Sequence, residues 1–269
     1  MRDLQGCRVL ITGGARGLGR ALAVAFADRG AHLVLVDLDQ VALDATAAEL
    51  RAEGRSVTAY ACDVTDEDRV LVLRDQVLAD GPIDVLVNNA GTVAGGAFLD
   101  VPAARHRRTI DVNVAGLVAI THAFLPALIA RPRAAILNVA SASAFLALPW
   151  GTTYAASKWA VLGFGESLAE ELHETGHRHV RITALCPSYI DTGLFTGARP
   201  ARLTWLLSSR KVAERAVRAV ERGEARVILP WTAALLVSGL GWLPRGAFHT
   251  IARWFGVSSS MREWKGRDP

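Results

Sequence analysis

A chain of 269 residues has room for one α/β domain with a large core, and too little for two comfortable ones. Its 51% apolar and 21% charged residues exclude general disorder. The mildly basic balance of +4 arises mostly in the C-terminal part, where Arg245, Arg253, Arg262, Lys265 and Arg267 outnumber Glu263 and Asp268. No basic run is interleaved with aromatics elsewhere, so nucleic acid is not an expected partner. Cys7, Cys62 and Cys186 have no CxxC spacing and read as buried free thiols, which suits a reducing, cytoplasmic setting. The charged N-terminus runs straight into a glycine turn and does not read as a signal peptide.

Apolar runs of β type fall at 8–12, 32–36, 57–61, 83–87, 135–140, 180–185 and 226–229. Helical periodicity lies between them, at 18–29, 41–53, 67–78, 104–128, 154–174 and 211–222. Continuous apolar strands separated by helices predict an α/β fold: a doubly wound sheet of seven parallel strands, covered on both faces. Residues 1–230 form the predicted catalytic unit, with a substrate loop at 188–210; residues 231–269 extend the same domain.

The first strand leads into Thr12-Gly13-Gly14-Ala15-Arg16-Gly17-Leu18-Gly19 and then directly into a helix. Glycines at 13, 17 and 19 permit a tight turn and let a pyrophosphate approach the N–H groups of the helix end. A glycine cluster alone is weak evidence, but its strand–turn–helix setting supports a dinucleotide site. Asp37 ends the second strand, where a carboxylate can accept hydrogen bonds from ribose hydroxyls and repel a 2′-phosphate. Arg16 pulls the other way, since a cation in the turn can greet that phosphate. Like charges at contact distance near a surface cost on the order of a few kcal/mol, so the expectation is NAD rather than NADP. Asp63-Val64 and Asn89-Ala90-Gly91 follow later strands at their ligand-binding ends. Asp63 can hold the adenine amino group, whereas Asn88 reads as a structural tie between strands.

Tyr154 and Lys158 stand four apart, on one face of a predicted helix. An ordinary tyrosine titrates near 10, too high for efficient proton exchange at neutral pH. A fixed cation beside it, with oxidised nicotinamide, lowers that value and makes Tyr154 a usable acid/base. Such a pair alone is usually an accident of composition. Ser141, at the end of a strand, can share the substrate oxygen with Tyr154. Asn113, inside the predicted long helix, is either a tolerated polar residue or the holder of a water linking Lys158 to solvent.

Taken in order, TGGARGLG, DVT, NNAG, Asn113, Ser141, YAASK and Pro187-Ser188 resemble the short-chain dehydrogenase/reductase superfamily in its compact form, over about residues 5–230. The resemblance implies a Rossmann-type fold and a hydride moved between a nicotinamide and an alcohol/carbonyl carbon. It implies Tyr154 as general acid/base, Ser141 polarising the carbonyl, Lys158 on the nicotinamide ribose and Asn113 in a proton relay. Pro187, Ile190 and Thr192 match the stretch that closes over the nicotinamide carboxamide. The usual Pro-Gly reads Pro187-Ser188 here, a small change of loop. No metal is implied. Dimers or tetramers through the helices at 104–128 and 154–174 are implied, and so is a small-molecule substrate.

The chain departs from a minimal member after residue 230. Residues 227–244 are uncharged and include Trp231 and Trp242; Phe248, Ile251, Trp254 and Phe255 follow, beside His249 and Arg253. Net of its strand residues this stretch is too short to span a bilayer. Residues 231–257 therefore either lie on a membrane surface as a peripheral contact, cap the substrate pocket, or pack at a subunit interface. This tail loosely resembles the retinol dehydrogenase and 17β-hydroxysteroid dehydrogenase-like branch, which implies a lipophilic alcohol. Ser143, Phe145, Leu146, Leu148, Trp150, Tyr189, Leu194, Phe195 and Trp205 are the candidate pocket residues. Two other readings remain: an NADPH-dependent reductase of a small or carrier-bound ketone, and a nucleotide-binding regulator without catalysis.

Overall fold

The chain alternates strands and helices almost throughout: β1 (Arg8–Thr12), α1 (Gly17–Ala27), β2 (His32–Asp37), α2 (Gln40–Ala52), β3 (Val57–Ala61), α3 (Glu67–Ala79) and β4 (Val85–Asn88). Then come α4 (Ala103–Ile110), α5 (Gly116–Ile129), β5 (Ala134–Val139), α6 (Thr152–Glu174), β6 (Val180–Pro187), α7 (Ser209–Arg222), β7 (Arg226–Leu229) and α8 (Trp231–Leu240). The computed structural model describes residues 3–202, 204–240, 250 and 253–266.

The strands form one seven-stranded sheet in the order β3-β2-β1-β4-β5-β6-β7, and every pairing is parallel. The expected doubly wound sheet is therefore present. β1, β4 and β5 are apolar on both sides because both faces of the sheet are covered. One layer buries Leu22 and Phe26 of α1, Leu43 and Leu50 of α2, and Val217 and Val220 of α7. The other buries Leu73 of α3, Ile120 and Phe124 of α5, and Leu172 of α6. Fully burying a Leu or Phe side chain contributes roughly 1.5–3 kcal/mol. The strand order reverses between β1 and β4, and the crevice beyond their carboxyl ends is where such sheets bind ligands.

The predicted helix over 104–128 is the main correction. It is three pieces: α4, a π-helical turn at Asp111–Ala115, and α5. The wider turn inserts backbone where the helix passes the site and carries Asn113 into the interior, 1% exposed. The run Ala103–Ile129 is long and apolar enough to cross a membrane, but α5 spends that apolar surface on the sheet. Asp39 and Asp66 cap α2 and α3 by accepting from the N–H groups of Ala42 and Arg69. Cys62 and Cys186 are buried and Cys7 is half-buried, and the three form no disulfide with one another.

Beyond α8, residues 253–266 fold back over the carboxyl edge of the sheet. Trp242, Pro244, Arg245, Phe248, His249, Ile251, Arg267 and Asp268, all part of the tail reading above, lie outside the described residues.

Candidate active site

A cleft of about 440 Å³ runs along the carboxyl ends of the strands, and each residue expected to hold the cofactor lines it. Its floor is the turn after β1. A Cβ on Gly19 would stand 1.9 Å from the Gly13 carbonyl oxygen, so only glycine lets the helix start this close to the turn. Asn89 Nδ2 donates to the Thr12 and Gly13 carbonyls at 2.9 and 3.0 Å. Thr12 Oγ1 accepts from the N–H groups of Asn89 and Ala90. Asn88, by contrast, faces the core and donates to Thr121 Oγ1 and Asn138 Oδ1, each at 2.9 Å. The first turn of α1 has no side-chain cap and no acidic residue, so its N–H groups and helix dipole face the cleft.

Asp37 stands at the far end of the cleft. Its carboxylate accepts from Ala15 N–H at 3.0 Å and Asp39 N–H at 3.1 Å, which fixes its direction. Arg16 is ion-paired with Asp39. The Ala42 N–H, and then the Arg16 guanidinium, hold the Asp39 carboxyl below its ordinary range. Asp63 is also partnered. Burial works against its charge, but the Thr65 N–H and hydroxyl and the Arg108 guanidinium at 2.9 Å outweigh it. Arg108 and Asp39 line the cleft without having been expected there. Their partners are 45 and 23 positions away in sequence, a distance that no local spacing rule reaches.

These features fit a dinucleotide: an open helix N-terminus for a pyrophosphate, a fixed carboxylate for ribose hydroxyls, and a cleft long enough to join them. Lys158, Ile190 and Thr192 line the other end and would hold the nicotinamide half.

Tyr154 and Lys158 share α6 and are both buried. Lys158 Nζ donates to the Val139 carbonyl at 2.8 Å and lies 5.7 Å from the Tyr154 ring centre. Burial pushes the Tyr154 phenol above its ordinary value, opposed by a hydrogen bond from Ser141. Burial also pulls Lys158 down to about 8, which still leaves it protonated at neutral pH. Ser141 Oγ accepts from Ser143 N–H at 3.1 Å and is 3.5 Å from the Pro187 carbonyl.

Asn113 is held by its neighbours. Its Oδ1 accepts from Thr92 N–H at 2.8 Å, while Nδ2 donates to the Thr92 carbonyl at 3.0 Å and to Ser157 Oγ at 2.9 Å. The side chain braces the loop after β4 against α6.

Tyr154, Ser188 and Phe195 also border a second space, an apolar chamber of about 70 Å³. Of the expected pocket residues, Ser143, Leu146, Leu148, Tyr189 and Phe195 line it. Four do not. Phe145 ends the short turn Ala142–Ala144 facing away, with the Arg226 guanidinium 5.2 Å over its ring. Trp150 packs behind the chamber, with the Arg262 guanidinium 5.9 Å away. Leu194 lines the cofactor cleft instead, and Trp205 is 49% exposed.

The tail supplies the missing wall. Ala233 and Leu236 of α8, with Val257 and Ser260, line the chamber. Tyr189 Oη donates to Ser260 Oγ at 2.7 Å, and Arg199 N–H to the Ser260 carbonyl at 2.8 Å. Met261, 1% exposed, packs with Tyr154 and Val93. Trp264 Nε1 donates to the Leu194 carbonyl at 3.1 Å. Its indole fills a slot above Gly95, where a Cβ would fall 2.3 Å from the ring.

A buried phenol between a dinucleotide-shaped cleft and an apolar chamber has counterparts among known proteins. The family model described as short chain dehydrogenase matches residues 8–203. The chain belongs to the short chain dehydrogenase family. Human epidermal retinol dehydrogenase 2 is 32% identical over 97% of this chain and 85% of its own length. Human 17-beta-hydroxysteroid dehydrogenase 13 is 32% identical over 94% of this chain and 84% of its own. Among solved structures, a short chain dehydrogenase/reductase from Burkholderia phymatum, crystallised in complex with NAD, superposes with a TM-score of 0.81. It is 30% identical, and the match covers 88% of this chain and 94% of that one. This short chain dehydrogenase thus falls in the retinol and hydroxysteroid dehydrogenase-like branch and is an oxidoreductase of CH–OH donors. The family and the NAD-bound neighbour support a nicotinamide cofactor.

Proposed function

We propose that the enzyme interconverts a lipophilic alcohol and its aldehyde or ketone with NAD(H), using Tyr154 as the acid/base. The observation that carries this reading is the position of Tyr154, on the border between the cofactor cleft and the apolar chamber, hydrogen-bonded to Ser141. When bound, the nicotinamide supplies the hydride acceptor or donor. Ser141 holds the substrate oxygen and Tyr154 exchanges its proton, while Lys158, buried beside them, carries the charge that lowers the phenol in the loaded site. Asn113 positions this group through Thr92 and Ser157. Met261 excludes water from the phenol.

NAD is favoured by Asp37, whose carboxylate is clamped by two backbone N–H groups where a ribose would lie. Arg16, the residue that favours NADP, is already neutralised by Asp39. The complete Ser141, Tyr154 and Lys158 set speaks against a regulator without catalysis. Trp205, Leu206, Trp231, Leu235 and Trp254 are exposed apolar residues that neighbour the chamber wall in sequence, with Arg202 and Arg253 among them. This edge is read as a peripheral contact with an anionic lipid surface, from which an apolar substrate enters. Ile110, Val118 and Trp159 leave a separate apolar face on α4–α6 for a second copy of the chain.

The test is NAD⁺ reduction across retinoid, steroid and long aliphatic alcohols, with tryptophan-quench titrations of NADH and NADPH alongside. Turnover in one apolar class and tighter NADH binding are expected. A flat panel removes the lipophilic substrate, and tighter NADPH binding reverses the cofactor assignment. Flotation with anionic liposomes checks the surface contact, and light scattering checks the oligomer.

A further inference from the structure

Ser143 is 8% exposed and lines the apolar chamber, yet its Oγ has no hydrogen-bond partner. Among the described residues, the other buried side-chain atoms without partners belong to Arg8, Asn88 and Asn138, none of which lines the chamber. Three other chamber hydroxyls are engaged: Tyr189 with Ser260, Thr204 with the Ala201 carbonyl, and Ser260 with the Val257 carbonyl. A buried hydroxyl left unpaired is costly, and where one persists in a ligand chamber the missing partner is sought on the ligand.

The partner is not the reacting oxygen. A carbonyl oxygen has two lone pairs, and in the reading above Ser141 and Tyr154 occupy both. Ser143 must meet a different atom. That atom cannot be remote, because Ser143 N–H is itself hydrogen-bonded to Ser141 Oγ at 3.1 Å. The two hydroxyls thus sit two residues apart on one short turn pinned by that backbone N–H, and reach neighbouring oxygens of a ligand rather than its opposite ends. We propose that Ser143 is a specificity-determining residue that recognises a second oxygen close to the reacting carbon. The substrate class is an apolar molecule whose alcohol or ketone has an oxygen-bearing neighbour, such as a vicinal diol or an α-hydroxyketone. This rests on the proposed function and deepens it.

The experiment compares 2-octanol, 2,3-octanediol and 2,7-octanediol as substrates of the whole enzyme with NAD⁺, and measures their binding by tryptophan fluorescence. Wild type is expected to favour 2,3-octanediol about 10-fold in kcat/KM over the other two, and Ser143→Ala to abolish that preference while leaving 2-octanol within about 2-fold. Equal treatment of the three by wild type overturns the proposal. So does an equal loss on all three in Ser143→Ala, which would mean that Ser143 acts only through Ser141. If none of the alcohols is oxidised, the reaction reading fails and the binding arm decides. Tighter binding of 2,3-octanediol that disappears in Ser143→Ala supports the Ser143 site, and equal binding overturns it.

Discussion

The cofactor cleft and the substrate chamber meet at Tyr154 but are built differently. The cleft is made where strands end, and backbone groups do most of the work: Gly13, Gly19, the Ala15 and Asp39 N–H groups, and the Thr12–Asn89 brace. The chamber is closed by pieces distant in sequence, the loop after β6 and the tail, joined through Tyr189–Ser260, Trp264–Leu194 and the ion pair Arg199–Glu263. A region fixed by the sheet should tolerate little change, whereas one fixed by loop-to-tail contacts should change its substrate without disturbing its cofactor.

The sharpest way to break that contrast is Gly19→Ala. The new methyl collides with the Gly13 carbonyl, and NADH binding in a quench titration should weaken by more than about 100-fold, with the melting temperature falling too. Near-normal binding would show that the turn is softer than described. Tyr154→Phe attacks the seam: kcat should fall by about 10²–10⁴ while cofactor affinity stays within about 2-fold. Wild-type activity in that variant overturns the mechanism. Trp264→Ala attacks the chamber alone, with about a 10-fold loss in kcat/KM for the alcohol and an unchanged NADH affinity. A matching loss of NADH affinity would merge the two regions into one.

The smallest effect concerns stability. Lys158 is buried and its folded-state value is depressed to about 8, against 10.5 unperturbed. Between those values the unfolded chain binds more protons, so its contribution rises with pH from about 8 to 10.5 and is unfavourable below that window. Lys158→Met, free of the buried charge but without the Val139 bond, should be about 1–3 kcal/mol more stable at pH 7. The gain should shrink as pH climbs through the window. A destabilised Lys158→Met at pH 7, measured by denaturant unfolding without cofactor, would show that the Val139 hydrogen bond outweighs the desolvation.

This difference in construction also explains what could be read from sequence. The parallel sheet and the cleft were legible because the alternation of apolar strands with helices, the glycine spacing, the strand-end Asp37 and the Tyr154–Lys158 spacing are local patterns with local causes. Arg108 on Asp63, Asp39 on Arg16 and Met261 on Tyr154 depend on chain segments that meet only after folding. Phe145, Trp150 and Trp205 have the right polarity for a pocket, but polarity does not say which way a residue leaves a turn. Trp150, with φ of 59° in the left-handed region, is turned by its backbone in a way that hydropathy cannot register. Asn113 was found as a residue of interest, but the π turn that commits its amide to Thr92 and Ser157 has no periodic signature.

The slot above Gly95 has an evolutionary consequence. Any side chain at 95 would evict the Trp264 ring, and any smaller residue at 264 would leave a hole over 95. The two positions are therefore free to drift only together, through intermediates that pay for the mismatch in a loosened chamber. Descendants of this enzyme with a new substrate should carry paired changes there while their glycine turn stays the same.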